Sequence, residues 1–256
     1  MTTVGLLYPG EMGAMVAATC IGNVTWASEG RSAATRARAD KLELTDAGTL
    51  AELVARSDVI LSICPPAVAE ETAREVAAAG FHGLYVDANA VSPARAKRIA
   101  ALFERAVDGS IIGRETIHLY LSGDPAELDV VAALFDPGQL TAIRLDGGIG
   151  AASALKVAFA SWNKIGIALA AQSLAVARAW GLEEALAAEG IEPSGVVRAG
   201  ARAWRWVAEM EEIGDTFAEV GLPDGIARGA ADLYARWNEH RDTEVPLERL
   251  LDDLRE

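Results

Sequence analysis

The turn Tyr8-Pro9-Gly10-Glu11-Met12-Gly13 is where residue types and spacing first suggest chemistry. Against the dinucleotide fingerprint G-x-G-x-x-G, Gly10 and Gly13 take the second and third glycine positions, and Tyr8 takes the first. The second glycine lets backbone approach a pyrophosphate, and the third lets the following helix pack on the preceding strand. The pyrophosphate itself rests on free N–H groups at the helix N-terminus. Two glycines of three also describe an ordinary strand-to-helix turn, and that reading stays open on the motif alone.

The segment Ser28-Glu29-Gly30-Arg31-Ser32 closes the second apolar run. An acidic residue roughly 20 positions past the glycines can hold a ribose 2′-hydroxyl, which makes Glu29 an argument for NAD. Arg31, with the hydroxyls of Ser28 and Ser32, could instead hold a 2′-phosphate through charge-assisted hydrogen bonds. We favour NADP, with NAD possible. The other reading of Arg31 is the start of an exposed helix carrying Arg36, Arg38 and Lys41.

Elements must position these residues. VGLLY at 4–8 reads as a strand, Met12 to about Ile21 as a short helix, and NVTWAS at 23–28 as a second strand. Helices are expected at 32–42, 49–56 and 67–80, and from Ser92-Pro93 to about Arg105. Strands are expected at 58–64, 84–89, 106–112, 117–122 and 140–145. Alternation of this kind implies a mostly parallel sheet covered on both faces. After Asp146-Gly147-Gly148 the pattern is helical only, with one long helix over 151–181 and others at 183–189, 193–213, 215–220, 224–239 and 245–255. The fold class is therefore α/β followed by an all-α C-terminal domain, divided as 1–147 and 148–256.

Composition narrows the partners. The chain of 256 residues is 51% hydrophobic with 23 basic and 37 acidic residues, a net charge of -14 that repels phosphate backbones and argues against nucleic acid. Cys20 and Cys64 have neither metal-ligand spacing nor a disulfide framework, which suits a reducing cytoplasm. The start MTTVGLLYPGEMG lacks a basic n-region, and the apolar stretch 151–182 is interrupted by Lys156, Asn163, Lys164, Gln172 and Arg178, so no membrane span is expected. His82, His118 and His240 are scattered without metal spacing.

PGEMG at 9–13, SEGRS at 28–32, SDVILSICPP at 57–66, YVDANAVSP at 85–93, DGSIIG at 108–113, LYLSG at 119–123 and DGGIGAASALK at 146–156 occur in order across nearly the whole chain. Jointly they resemble the 6-phosphogluconate dehydrogenase and β-hydroxyacid dehydrogenase superfamily, which includes imine reductases. The nearest branch has a C-terminal domain of unknown function related to phosphogluconate dehydrogenase. The resemblance implies a Rossmann-type N-terminal domain and a helical domain, with substrate between them.

It also implies roles. Ile63, Cys64, Pro65 and Pro66 would line the cofactor cleft, and Asn89 would lie near the nicotinamide. Lys156 matches the general acid/base lysine that exchanges a proton with the substrate oxygen. A lysine can do this if burial or neighbouring charge lowers its pKa, and no acidic residue lies between Asp146 and Glu183.

Two substrate contacts of the hydroxyacid dehydrogenases are missing. Their serine-glycine-glycine stretch, which holds the substrate carboxylate, reads Ile111-Ile112-Gly113 here, and the asparagine four residues after the lysine is Ala160. Asn163 shares the face of Lys156 about 10 Å further along the helix, where it could serve a longer substrate, cap a kink or pair across an interface. Lys164 is rotated away and reads as a rim or interface residue. Trp204 or Trp206 could wall the substrate cleft, or the segment could be ordinary helix packing with snorkelling arginines.

The expected function is an NAD(P)-dependent oxidoreductase acting on a small carbonyl or hydroxy compound, working as a homodimer through the C-terminal helices. An imine reductase-like enzyme and a catalytically inactive NADP-binding sensor or scaffold are the alternatives. The charge is locally uneven: residues 31–41 and 151–182 are basic stretches within an acidic protein, and they fall where a 2′-phosphate and an oxygen-bearing substrate are expected.

Overall fold

The computed structural model describes residues 2–113, 116–191 and 193–255. It divides into two compact units, Met1–Lys156 and Val157–Glu256.

The first unit is one eight-stranded sheet with helices. In chain order it runs β1 (Thr3–Leu7), α1 (Glu11–Ala17), β2 (Asn23–Trp26), α2 (Ala33–Lys41), β3 (Thr45–Asp46), α3 (Leu50–Arg56) and β4 (Val59–Ser62). After a 3-10 turn at Pro66–Val68 come α4 (Ala69–Ala78), β5 (Leu84–Asp87), α5 (Pro93–Ala100), β6 (Ala106–Ile112), β7 (Ile117–Gly123), α6 (Pro125–Ala132) and β8 (Leu140–Arg144). The spatial order β3-β2-β1-β4-β5-β6-β7-β8 begins with the doubly wound dinucleotide-binding arrangement.

Side chains alternate between two cores, as the two-residue strand period requires. Val59 and Leu61 on β4, with Leu84 and Val86 on β5, enter one core; Ile60 and Tyr85 enter the other. The strands are therefore near-continuous apolar runs buried on both faces.

Among the described strands the one antiparallel pairing is β6 with β7, because the link from Ile112 to Ile117 is too short for a crossover, and β7 and β8 both run opposite to the other six. Gly113 makes this hairpin: its φ is +105°, and a Cβ there would lie 2.0 Å from the Thr116 carbonyl oxygen. Helix α6, absent from the sequence reading, returns the chain to β8 parallel to β7.

The long helix α7 (Ala151–Trp180) follows, and the division between units falls inside it rather than in the Asp146–Gly148 turn. The second unit adds α8 (Glu183–Ala188), α9 (Ser194–Gly200), α10 (Ala203–Glu219), α11 (Gly225–Ala235) and α12 (Leu247–Asp253). Its core is centred on the fully buried Tyr234 and Trp237, with Met210, Ile213 and Leu250.

The sequence reading ran one helix over 193–213 and broke the next at Gly214. Instead the break is at Ala201-Arg202, and α10 is continuous through Gly214. Gly214 serves close packing, since a Cβ would come within 2.8 Å of the Arg228 guanidinium. No helix among the described residues is long and apolar enough to cross a membrane.

Candidate active site

The Tyr8–Gly13 turn joins β1 to α1 with three distinct backbone solutions. Tyr8, at the first glycine position, has a left-handed φ of 63°, which costs a non-glycine residue about 1–2 kcal/mol. Its carbonyl accepts from Gly10 N–H at 2.6 Å. Gly13 packs directly on that carbonyl, where a Cβ would meet the Tyr8 oxygen at 2.6 Å. At Gly10 a Cβ would touch only the Tyr8 oxygen, at 3.9 Å, so the space before the helix is open. The three positions thus play the turn, approach and packing roles of the fingerprint, with tyrosine in the turn role. Pro9 is buried, Glu11 is exposed in the first turn of α1, and Met12 packs on the core.

Arg31 reaches back to this turn, its guanidinium lying 3.7 Å above the centre of the Tyr8 ring. Its Nε is buried without an acceptor among the described residues. The Ser32 hydroxyl caps α2 by accepting from Thr35 N–H. Ser28 is buried beside Asp46, whose carboxyl it holds below the usual range, and Glu29 is exposed. Arg36 donates to the Ser28 carbonyl at 2.6 Å and so fixes the strand end.

Asn89 ties the ends of β4 and β5 together. Its Oδ1 accepts from Cys64 N–H at 2.6 Å, and its Nδ2 donates to Ser62 Oγ at 3.0 Å and to Asp87 Oδ1. Both amide hydrogens and one oxygen site are thereby used, so Asn89 holds the Cys64-Pro65-Pro66 loop in place. Burial pushes the Cys64 thiol up to about 11. Pro65 is exposed, and Pro66 opens the 3-10 turn.

The residues that sequence reasoning missed lie at the ends of β6 and β7. Asp108 Oδ2 accepts from the N–H groups of Gly150 (2.9 Å) and Ser153 (3.0 Å) and from Ser122 Oγ (3.1 Å), while Oδ1 accepts from Ser153 Oγ at 2.7 Å. Ser122 Oγ also accepts from Ala152 N–H at 3.0 Å. Lys156, half-buried one turn later, donates from Nζ to the Ile111 carbonyl at 2.7 Å. Lys156 is therefore held beside the segment Ile111-Ile112-Gly113. Ile112 is half-buried, and Gly113 is accounted for by the hairpin. In the sequence these residues fall in three separate segments, DGSIIG, LYLSG and DGGIGAASALK, with nothing local to join them.

In the second unit, Asn163 is exposed and donates to the Phe159 carbonyl of its own helix. Lys164 pairs with Glu209 and lies over the Trp206 ring, which packs edge-on against Tyr234. Trp206 is thus anchored to the core of its unit. Trp204 carries the Arg241 guanidinium 3.8 Å above its ring. Two of the three cations in the expected basic stretch over 151–182 are neutralised in space, since Arg178 pairs with Asp252 and Glu183 as Lys164 does with Glu209. Among the described residues no group of His, Cys, Asp or Glu could hold a metal ion.

Residues 177–237 match the family described as Domain of unknown function (DUF1932). No curated protein matches the sequence. Among solved structures, the conserved protein MTH1747, of unknown function and structurally similar to 3-hydroxyacid dehydrogenases, is 26% identical with a TM-score of 0.69 over 93% of this chain and 98% of that one. Mycobacterium tuberculosis 3-hydroxyisobutyrate dehydrogenase, solved with L-serine, is 21% identical with a TM-score of 0.70 over 100% of both chains. A reductive aminase from Aspergillus terreus, in complex with NADPH and ethyl levulinate, is 18% identical with a TM-score of 0.55 over 98% and 99%. The last two likenesses establish the fold.

Proposed function

We propose that this chain, β-hydroxyacid dehydrogenase-like with a C-terminal DUF1932 region, is an NADP(H)-dependent oxidoreductase acting on a small carbonyl or hydroxy compound. The observation that carries the reading is the Tyr8–Gly13 turn, with its open space at Gly10 and Arg31 stacked on Tyr8. These residues fit a dinucleotide: the free amides at the start of α1 would hold the pyrophosphate, and the Arg31 guanidinium, fixed on the Tyr8 ring, would hold a 2′-phosphate. The NADPH-bound reductive aminase of the same fold supports the cofactor class.

When bound, the nicotinamide supplies or accepts the hydride. Asn89 holds the Cys64–Pro66 loop where it would line the cofactor, and Lys156, steadied by the Ile111 carbonyl, would give a proton to the substrate oxygen as the ammonium or take one from it as the neutral amine. The apolar pair Ile111-Ile112 in place of the carboxylate-binding serine stretch favours a substrate without a carboxylate there. That is the observation behind a second reading, reduction of a C=N bond. A catalytically inactive NADP-binding sensor is the third.

NADPH and NADH titrations by fluorescence, then assays with keto acids, aldehydes and imines, test the reading. NADPH should bind more tightly than NADH, and Arg31→Ala should remove most of that preference. Lys156→Met should lower turnover by roughly 10²–10⁴-fold at unchanged NADPH affinity. Binding without turnover would move the assignment to the sensor, and failure to bind either cofactor would overturn both.

We also infer that the macromolecular partner is a second copy of the chain, with NADP(H) and a small-molecule substrate as the ligands and no nucleic acid or membrane involved. Trp162, Leu169, Val176 and Trp180 on α7 are 84%, 66%, 60% and 79% exposed, more apolar surface than a lone helix face keeps in water. A cytoplasmic location accords with two free cysteines.

A further inference from the structure

We propose that Asp108, acting with Ser122 and Ser153, is the positioning residue for Lys156. It docks the first turn of α7 on β6 and so sets where the lysine ammonium meets the Ile111 carbonyl. The proposal rests on the functional reading only for its catalytic consequence.

The first N–H groups of any helix lack intrahelical partners and are usually met by a side chain at the N-cap. In α7 that position is Gly150, whose carbonyl accepts from Ala154 N–H but which has no side chain to cap with, and Gly147 and Gly148 before it have none either. The cap comes instead from the sheet. Asp108 takes the amides of Gly150 and Ser153, and Ser122 takes that of Ala152. Asp108, Ser122 and Ser153 are all buried, at 2%, 0% and 0% exposure. Every contact of Asp108 is one a carboxylate accepts.

A local serine cap would satisfy the helix equally well. What a cap delivered from β6 adds is registration between helix and strand. Lys156 lies three residues after Ser153, hence on the same face of α7, and Ile111 lies three residues after Asp108 on β6. The pairs Asp108–Ser153 and Ile111–Lys156 are therefore successive rungs between the same two elements. Loss of the lower rung frees the upper one to shift.

Competitive acetylation read by mass spectrometry tests this without a substrate, with the exposed Lys41 as internal reference. In Asp108→Ala the labelling of Lys156 relative to Lys41 should rise at least about tenfold. Asp108→Asn, whose amide oxygen can still accept from the Gly150 and Ser153 amides, should stay near wild type. Ser153→Ala removes one rung bond at little cost to folding and should fall between; it carries the test if Asp108→Ala does not fold. Unchanged Lys156 labelling in both alanine variants overturns the proposal, as does Asp108→Asn labelling as fast as Asp108→Ala. Should the labelling follow the expected order while Lys156→Met leaves turnover intact, the positioning role stands and the acid/base reading falls.

Discussion

Asp87 and Asp108 are register partners on the parallel strands β5 and β6, 3% and 2% exposed, yet they are unequally supplied with hydrogen bonds. Asp108 accepts four, whereas Asp87 Oδ1 accepts only from Asn89 and Oδ2 has no partner among the described residues. Two buried negative charges side by side are unfavourable, so the better-solvated one keeps its charge and the other keeps a proton. Burial, reinforced by the charge of Asp108, lifts Asp87 to about 7.

This has a signed consequence for stability. Asp87 is protonated in the folded chain and ionised in the unfolded chain between about pH 4 and pH 7, so its contribution falls as pH rises through that window, by about 1.4 kcal/mol per unit, and is level above it. Urea denaturation of Asp87→Asn and wild type from pH 4.5 to 8 should show the variant gaining on wild type up to pH 7. Parallel curves would mean that Asp87 is ionised in the fold.

The two glycines of the first turn should separate stability from binding. Gly13→Ala drives a Cβ onto a backbone carbonyl that cannot move aside, and the cost should be about 1–3 kcal/mol, visible as a lower melting temperature. Gly10→Ala meets nothing close, so it should melt like wild type and weaken NADPH binding. Equal melting for the two variants would refute the packing role of Gly13.

Asn89→Ala removes the bonds to Cys64 N–H and Ser62 Oγ and should cost about 1–3 kcal/mol through the buried groups left behind. Thiol labelling locates the loss. Cys64 should react faster in the variant while Cys20, held up to about 12 by burial in another part of the sheet, keeps its wild-type rate. Equal acceleration of both thiols would point to global unfolding instead.

Leu169→Glu combined with Trp162→Glu places two charges on the exposed face of α7. In sedimentation velocity the wild type should run as a dimer and the double variant as a monomer with unchanged helix content. A monomeric wild type would remove the second copy as the partner of that face.

The doubly wound half was legible because buried strands are apolar runs and the helix starts carry their own signals: Ser92-Pro93 caps α5, and the Thr49–Glu52 capping box opens α3. Strand β3 was not, since two residues form no pattern. Helix α6 does have Asp124 and Pro125 as start signals, but eight residues between two strands were read past. At the site, local motifs located the Tyr8–Gly13 turn, and the family resemblance supplied Lys156. The Asp108 hub was invisible because it joins residues 42 and 45 positions apart, and serines and aspartates of that kind look like ordinary surface residues until they are buried together. The ion pairs of Lys164 with Glu209 and of Arg178 with Asp252 escaped for the same reason, since those acids are remote in sequence.

That remoteness also bears on how the protein is made. A nascent chain that has emerged only through Arg144 has all eight described strands, yet of the four donors to Asp108 it carries the Ser122 hydroxyl alone. The Asp108 hub cannot be completed until residues 150–153, the first turn of α7, leave the ribosome. A truncation at residue 147 should therefore unfold more readily than one at residue 156, because the first unit is locked by residues at its own far end.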